Sequence, residues 1–415
     1  MTNSLPTGAS IDGVHSLEPG FLLATACCTW PRTDKRLEII RARAAQIVDW
    51  EQFVRIIKRH RVAGLAQDGL SQAGIALPDG PAQALRGIAG VVAHQNLKFA
   101  AESLHLQKVF QHAKLPILFL KGAVLEKLAY GVQGLKVAWD IDILASPDTA
   151  LQASALLEAN GYLRLQPPPS FGPIRFRTWI KATKECVFSH VQKGIFLELH
   201  WRVSDNPMLI PTIGAASPSQ SVGVSKAGSL PTLADEELFS YLCVHGACHD
   251  WSRLKWLADL AALLATKTEP NIERLYRVSL SHGAGRCSAQ ALLLCERLLG
   301  TALPRRLTAE LRADAKVLRL EGTALDVMAG GGEMEIDDHA LGNIQIQASR
   351  FLFQDGWRYW WKELCTYSVG VTDMILFPLP HWLYFLYPVI RAPSWILRVL
   401  LRAGKGPLRP PIRGD

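Results

Sequence analysis

The apolar positions change period along the chain, and the changes divide it. Between 35 and 54, Leu37, Ile40, Ala44, Ile47, Trp50 and Val54 recur at three- and four-residue steps, the spacing of one helix face. The pattern predicts a second helix over 60–71. After the turn Pro78-Asp79-Gly80-Pro81 it predicts one or two long helices over 82–113, with Leu97, Ala101, Leu104, Leu106 and Phe110 as main apolar positions. Beyond Pro116 the pattern shortens. Residues 117–120 read as a brief buried strand, 123–128 as a helix, and 138–145 as a strand. Residues 151–159 read as a helix closed by Asn160-Gly161. Further strands are expected over 174–179, 185–189 and 195–200. Helices return over 233–300, with Thr232 as N-cap and Asp235, Glu236 and Glu237 near the first turn, and continue over 304–328.

This order predicts an α+β fold: a small mixed β-sheet with helices packed on it, flanked by N-terminal and C-terminal helical regions. The expected segments are an extension over 1–34, in which 21–30 can pack, a helical lobe over 35–113, and the sheet core over 114–202. A loop rich in Ser, Pro and Gly follows over 203–232, long enough to be a lid or a substrate loop. A helical domain over 233–330 comes next. An aromatic-rich helical region over 331–415 opens with an acidic loop at 333–345 and ends in a basic tail.

The densest candidate chemistry is Asp140-Ile141-Asp142. Residues i and i+2 of a strand face the same side, so both carboxylates share one face while Ile141 and Ile143 enter the core. Adjacent carboxylates repel unless a cation lies between them, and a hard ion such as Mg²⁺, or Mn²⁺, takes oxygen ligands of this kind. A solvent-facing edge strand would read the same, so the neighbours matter. Lys121-Gly122 stands where a strand passes into a helix: glycine permits close approach to a phosphate, and the helix N-terminus and the lysine supply positive charge. In Glu198-Leu199-His200, the acid and the histidine face away from Leu197 and Leu199. Glu198 completes a three-carboxylate site if its strand lies beside that of Asp140, and His200 is placed to hold a carboxylate or touch a phosphate. Together these residues read as a site for in-line transfer of a nucleotidyl group, with pyrophosphate leaving.

Composition bounds the reading. The chain has 415 residues, of which 49% are hydrophobic, enough for a large core. Its formal net charge is +8, and six of its basic residues lie between Arg391 and the C-terminus against one acid. Such a tail fits a solvated end, nucleic acid or an anionic membrane surface. Eight scattered cysteines without paired CxxC motifs read as reduced thiols in a cytoplasmic setting. A zinc site of Cys243, His245, Cys248 and His249 is disfavoured, because these positions do not share a helix face. The N-terminus lacks the pattern of a signal peptide, and no charge-free apolar run of spanning length appears.

Four stretches in order resemble a bacterial family of uncharacterised nucleotidyltransferases, within the polymerase-beta-type nucleotidyltransferase superfamily. They are Leu120-Lys121-Gly122, then Lys136 to Leu144, then Glu198-Leu199-His200-Trp201, then His245 to Asp259. The resemblance spans roughly 35–300 and is looser around Leu379-Pro380 and beyond Tyr387. It implies a nucleotidyltransferase core with Asp140, Asp142 and Glu198 as catalytic metal ligands. It implies that Lys121, Gly122, Lys136, His245, His249 and Arg253 contact the nucleotide. His245 and His249 lie one turn apart on a helix, with Arg253 a turn further on if the helix extends; Lys255 and Asp259 could support one another. Two departures stand out. Gly-Ser of the superfamily is Lys121-Gly122-Ala123 here, and Lys136 stands where arginine is usual, losing the bidentate fork.

The expected partners are a nucleoside triphosphate and a hydroxyl-bearing acceptor: a small molecule, sugar, peptide or protein. No nucleic-acid module is visible. The competing expectations are a fold retained as a binding or assembly module, and a peripheral membrane contact through the tryptophan-rich C-terminus.

Overall fold

In the computed structural model, the described residues are 17–330, 347–368, 371–377, 379–391 and 393; the predicted acidic loop and most of the basic tail lie outside them. The chain starts with five helices: α1 (Pro19–Cys28), α2 (Asp34–Ala44), α3 (Trp50–His60), α4 (Ala63–Ala73) and α5 (Asp79–His112). The single periodic run from 35 to 54 is two helices. Asp49 interrupts it as an N-cap, accepting a hydrogen bond from the Gln52 N–H at 2.9 Å. Helix α5 is one element of 34 residues, about 51 Å long at 1.5 Å per residue.

The sheet core follows: β1 (Leu118–Phe119), α6 (Ala123–Tyr130), β2 (Asp140–Leu144), α7 (Ala150–Ala159), β3 (Leu163–Gln166), α8 (Pro173–Ala182), β4 (Glu185–His190) and β5 (Ile195–His200). The strand order is β1-β2-β5-β4-β3. Strands β2 and β5 are parallel and the other neighbours antiparallel, so the five-stranded sheet is mixed, as expected. Two expectations fail here. Residues 174–179 form α8, not a strand: Pro173 sits at its first turn, and Phe176 and Trp179, three apart, are buried while Ile174 is 84% exposed. Strand β3 was not expected at all.

The expected long loop is only half a loop. Strands β6 (Ser219–Ser225) and β7 (Gly228–Leu233) pair antiparallel across its second part. Thr232 is therefore a buried strand residue and not an N-cap. Helices α9 (Asp235–Cys248), α10 (Leu254–Leu264), α11 (Glu269–His282), α12 (Gly285–Leu299), α13 (Arg305–Ala313) and α14 (Ala315–Gly330) come next. Helices α15 (Trp357–Ser368) and α16 (Val371–Leu376) lead to a 3₁₀ turn over His381–Leu386.

Two apolar cores result. One joins α1–α4 to α9–α14, so helices from either side of the sheet in sequence share one interior; α1 lies within it, buried from Phe21 to Cys28. The other lies against the sheet and takes in α7 and α8 together with Met374 and Tyr387. Helix α5 reaches both, through Leu85 at one end and Phe99, Leu106 and Phe110 toward the other. A cleft of about 430 Å³ opens beside the C-terminal half of β5, walled by α9, α10, the end of α3 and α15.

Candidate functional site

Register sets the site. Asp142 of β2 stands directly opposite Glu198 of β5, and His200 lies two residues further along the same strand face. The ligand atoms of Asp142, Glu198 and His200 all lie within 4.8 Å of one another, the single such cluster among the described residues. Asp140 begins β2 two residues earlier and lines the cleft with Glu198 and His200, while Asp142 lies behind them, 4% exposed. Asp140 is thus near the cluster without belonging to it.

The carboxylates are not bare. Lys121 Nζ lies 2.9 Å from Asp142 Oδ1, which the His200 Nε2 approaches at 3.2 Å. The other ring nitrogen of His200 lies 3.0 Å from Glu185 Oε2, and Glu198 Oε2 is 3.4 Å from its Nε2. Burial works against every charge here. For Asp142 it is overcome by Lys121 and His200, which hold the carboxyl well below the usual range. Burial would likewise neutralise His200 and Lys121. Glu185 and Asp142 raise the first well above an ordinary histidine, and Asp142 raises the second above an ordinary lysine. Asp140 moves the other way. Burial, then the Asp142 and Glu198 charges, push it up to about 6. The surroundings thus push the two carboxyls apart, Asp142 down and Asp140 up.

Lys121-Gly122 occupies the expected strand-to-helix turn. Gly122 has φ +66°, open space where a Cβ would project, and its carbonyl accepts the Glu126 N–H in the first turn of α6. The loop into β2 is pinned from beneath. Glu126, 2% exposed, accepts from the Leu135 and Lys136 N–H groups at 2.7 and 2.8 Å, and Asn96 donates to its carboxylate at 3.2 Å. Lys136 points away from the cleft. Its ammonium pairs with Asp259 of α10 at 2.8 Å, both buried, and the Tyr130 hydroxyl donates to the same carboxylate at 3.0 Å. Asp259 therefore braces Lys136, not Lys255, and neither Lys136 nor Asp259 lines the cleft. Lys136 ties the sheet to α10.

His245, His249, Arg253 and Lys255 all line the cleft, but not along one helix face. Helix α9 ends at Cys248, and Asp250 and Trp251 take left-handed φ values of 48° and 49°. The turn is tight because Trp251 lies over Gly246: a Cβ there would come within 2.4 Å of the indole ring. Arg253 is then the N-cap residue of α10, which carries Lys255 and Trp256. The Trp256 ring stacks on His249 at 5.0 Å between centroids, and His249 meets His245 at 4.9 Å. Both imidazoles are held neutral by burial, then by the lysines facing them. Lys255 is pushed well below an ordinary lysine by burial and by the nearby Lys136 and Arg61. Cys243 is buried in the helical core, its thiol pushed up by burial, and all eight cysteines are free.

Sequence reasoning missed Lys184 and Glu185. Glu185 pairs in register with His200 across β4 and β5, and Lys184 lies 3.2 Å from it. The apolar run Cys186-Val187-Phe188 after Glu185 was readable as a strand, but which strand it would pair with was not. Arg61, stacked on Trp139 at 5.0 Å, and Arg350 and Tyr367, from beyond the expected core, also line the cleft without any local signal.

A five-stranded mixed sheet presenting carboxylates from neighbouring parallel strands to a cationic cleft, with helices flanking it, is the core of an α+β nucleotidyltransferase fold. The chain belongs to the uncharacterised nucleotidyltransferase family, whose model matches residues 46–300. No curated protein matches it.

Proposed function

We propose that this protein transfers a nucleoside monophosphate from a nucleoside triphosphate to a hydroxyl of an acceptor, releasing pyrophosphate. The observation that carries the reading is the parallel register that sets Asp142 beside Glu198, with Asp140 two residues earlier lining the cleft. Two strands are thus needed to build the acidic group, and both deliver oxygen donors to one place.

The donor set fits a hard divalent ion, Mg²⁺ or Mn²⁺, which Asp142 and Glu198 would hold once Lys121 moves off Asp142, with Asp140 close by on the same strand face. Such an ion would neutralise charge on the triphosphate and acidify the acceptor hydroxyl. The protein's own groups do the rest. Lys121, the α6 N-terminus at Gly122, Lys255 and Arg253 offer positive charge and N–H donors to phosphate oxygens. The His249–Trp256 stack offers a flat apolar wall for a base or ring. His200, held by Glu185, keeps Asp142 oriented.

The test is pyrophosphate release from each of ATP, GTP, CTP and UTP with Mg²⁺ and cell extract as acceptor source. Asp140→Asn and Glu198→Gln, which keep shape and remove charge, are expected to lower turnover by at least about 10²-fold. Turnover unchanged in both variants would sink the assignment.

A second reading has one observation in its favour. The Lys121 ammonium already sits on Asp142, where a metal-dependent site would place its ion. A protein that kept the fold as a binding or assembly module would keep such a pair permanently. Calorimetric titration separates the two: nucleotide binding that requires the divalent ion supports the enzyme, and no binding under any condition supports the module.

A further inference from the structure

Helix α15 is amphipathic the wrong way round. Its inward face is polar: Glu363, 1% exposed, accepts from the Asn206 amide at 2.6 Å, and the buried Tyr359 hydroxyl donates to the Arg350 carbonyl at 2.8 Å. Its outward face carries Trp357, Trp360, Trp361 and Leu364, between 44% and 71% exposed. These are positions i, i+3, i+4 and i+7, one continuous stripe. Elsewhere among the described residues, the exposed tryptophan and phenylalanine side chains are Phe377 and Trp382, both shortly downstream; those before residue 357 are single aliphatics. A stripe of this kind is costly in water, and a soluble surface does not collect tryptophans at helical spacing by chance.

The charge around it has one sign. Arg358 and Lys362 are exposed on the same helix, flanking the stripe. The acidic residues between 357 and 393 are Glu363 and Asp373, and both are buried, Asp373 in an ion pair with Arg391 at 3.2 Å. The sequence beyond 393 adds further basic residues and a single acid at its end. Pairing two copies of this face about a two-fold axis would set basic flank against basic flank. An anionic lipid surface meets both features at once: indole rings partition to the headgroup boundary, and Arg and Lys meet lipid phosphates. No helix among the described residues is long and apolar enough to cross a membrane, so the contact would lie along the surface.

We propose that α15 docks this protein on an anionic bilayer surface, with Trp357, Trp361 and Leu364 entering the headgroup boundary and Arg358 and Lys362 on lipid phosphates. The inner face of α15 meets Arg350 and itself carries Tyr367, both of the cleft wall, so docking sets the cleft close to the membrane plane.

The experiment is co-sedimentation of the full-length protein with vesicles of phosphatidylcholine alone, or with about a third phosphatidylglycerol. The wild type is expected to pellet with the anionic vesicles, with a blue shift of tryptophan emission. The triple variant Trp357→Glu, Trp361→Glu, Leu364→Ser is expected to bind them about tenfold more weakly or worse. The variant Arg358→Glu, Lys362→Glu, which leaves the stripe intact, is expected to lose the preference for anionic over neutral lipid. Matching thermal melts show that both variants fold; if the triple variant does not, the charge variant and the emission shift decide. Three results overturn the proposal: a wild type that pellets with neither vesicle, variants that both bind as wild type does (the tail then suffices), or a wild-type dimer in sedimentation velocity that the triple variant dissolves.

Discussion

Asp250 shows how one residue's surroundings make a testable claim. It follows His249 in the turn between α9 and α10, is fully buried, and neither carboxyl oxygen has a hydrogen-bond partner. Burial, and then the charge of Asp326, push its carboxyl up to about 7. The folded state therefore holds this proton more tightly than the unfolded chain. Stability from this group is full at low pH, falls as pH rises from about 4 toward 7, and stays reduced above. Asparagine copies the shape, never ionises and tolerates the left-handed φ of 48°. Asp250→Asn is expected to stabilise the protein at pH 8, on the order of 2–4 kcal/mol, with little change at pH 4. Thermal melts at the two pH values check this, and equal destabilisation at both would count against it. The residue scale is also where sequence reasoning ran out soonest. Asp140, Asp142, Glu198 and Lys121 were readable because alternation and a glycine turn are local signals. The pairing of Lys136 was not readable because its partner, Asp259, lies more than a hundred residues away, and nothing near either position announces the pair.

At the scale of elements, the chain was legible wherever period and punctuation agreed. Strands β2, β4 and β5 follow their apolar alternation, and α7 ends at the Asn160-Gly161 signal. Helix α8 was missed because the alternation of Ile174 to Arg177 outweighed Pro173 and the three-residue step from Phe176 to Trp179, although proline at the first turn is the better helix signal. The β6–β7 hairpin was missed because its strands are built of Ser, Gly and Thr with few large apolar residues. Junctions between elements are set by single groups no pattern reveals. Helix α10 begins against α3: the Leu254 N–H, one of the donors a helix start leaves open, reaches the His60 Nδ1 at 3.1 Å. That bond needs an unprotonated Nδ1, and burial followed by Arg59 and Arg253 lowers His60 to about 3. Its contribution is therefore full above about pH 6.5 and erodes by roughly 1.4 kcal/mol per unit as pH falls toward 3. His60→Ala, leaving the donor unpaired and a small cavity, is expected to cost about 2–4 kcal/mol at pH 8, with the gap to wild type narrowing in acid. Urea unfolding across that range measures it; a gap independent of pH would mean His60 acts by packing alone.

Over the whole molecule, folding gathers positive charge from distant parts of the chain into one cleft. Seven lysine or arginine side chains line it against three carboxylates, drawn from α3, the sheet, α10 and residue 350. Packing so many cations costs free energy, and Lys255 bears part of that cost: burial, Lys136 and Arg61 all disfavour its ammonium. A triphosphate reverses the balance, since four negative charges arriving beside Lys255 favour its protonated form. Binding then raises the Lys255 pKa, takes up a proton wherever the pH lies between its free and bound values, and weakens as pH rises through that interval. Calorimetry with inorganic tripolyphosphate in two buffers of different ionisation enthalpy reads this directly. Net proton uptake is expected for the wild type, less for Lys255→Met, with affinity dropping steeply between about 50 and 200 mM salt in both. Tripolyphosphate carries no base and no transferable nucleotide, so the measurement isolates the cleft's charge from any chemistry. Binding without proton uptake at any pH tested would mean that the anion does not change how Lys255 is protonated, and that the positive charge collected in the cleft belongs to the architecture and not to a substrate.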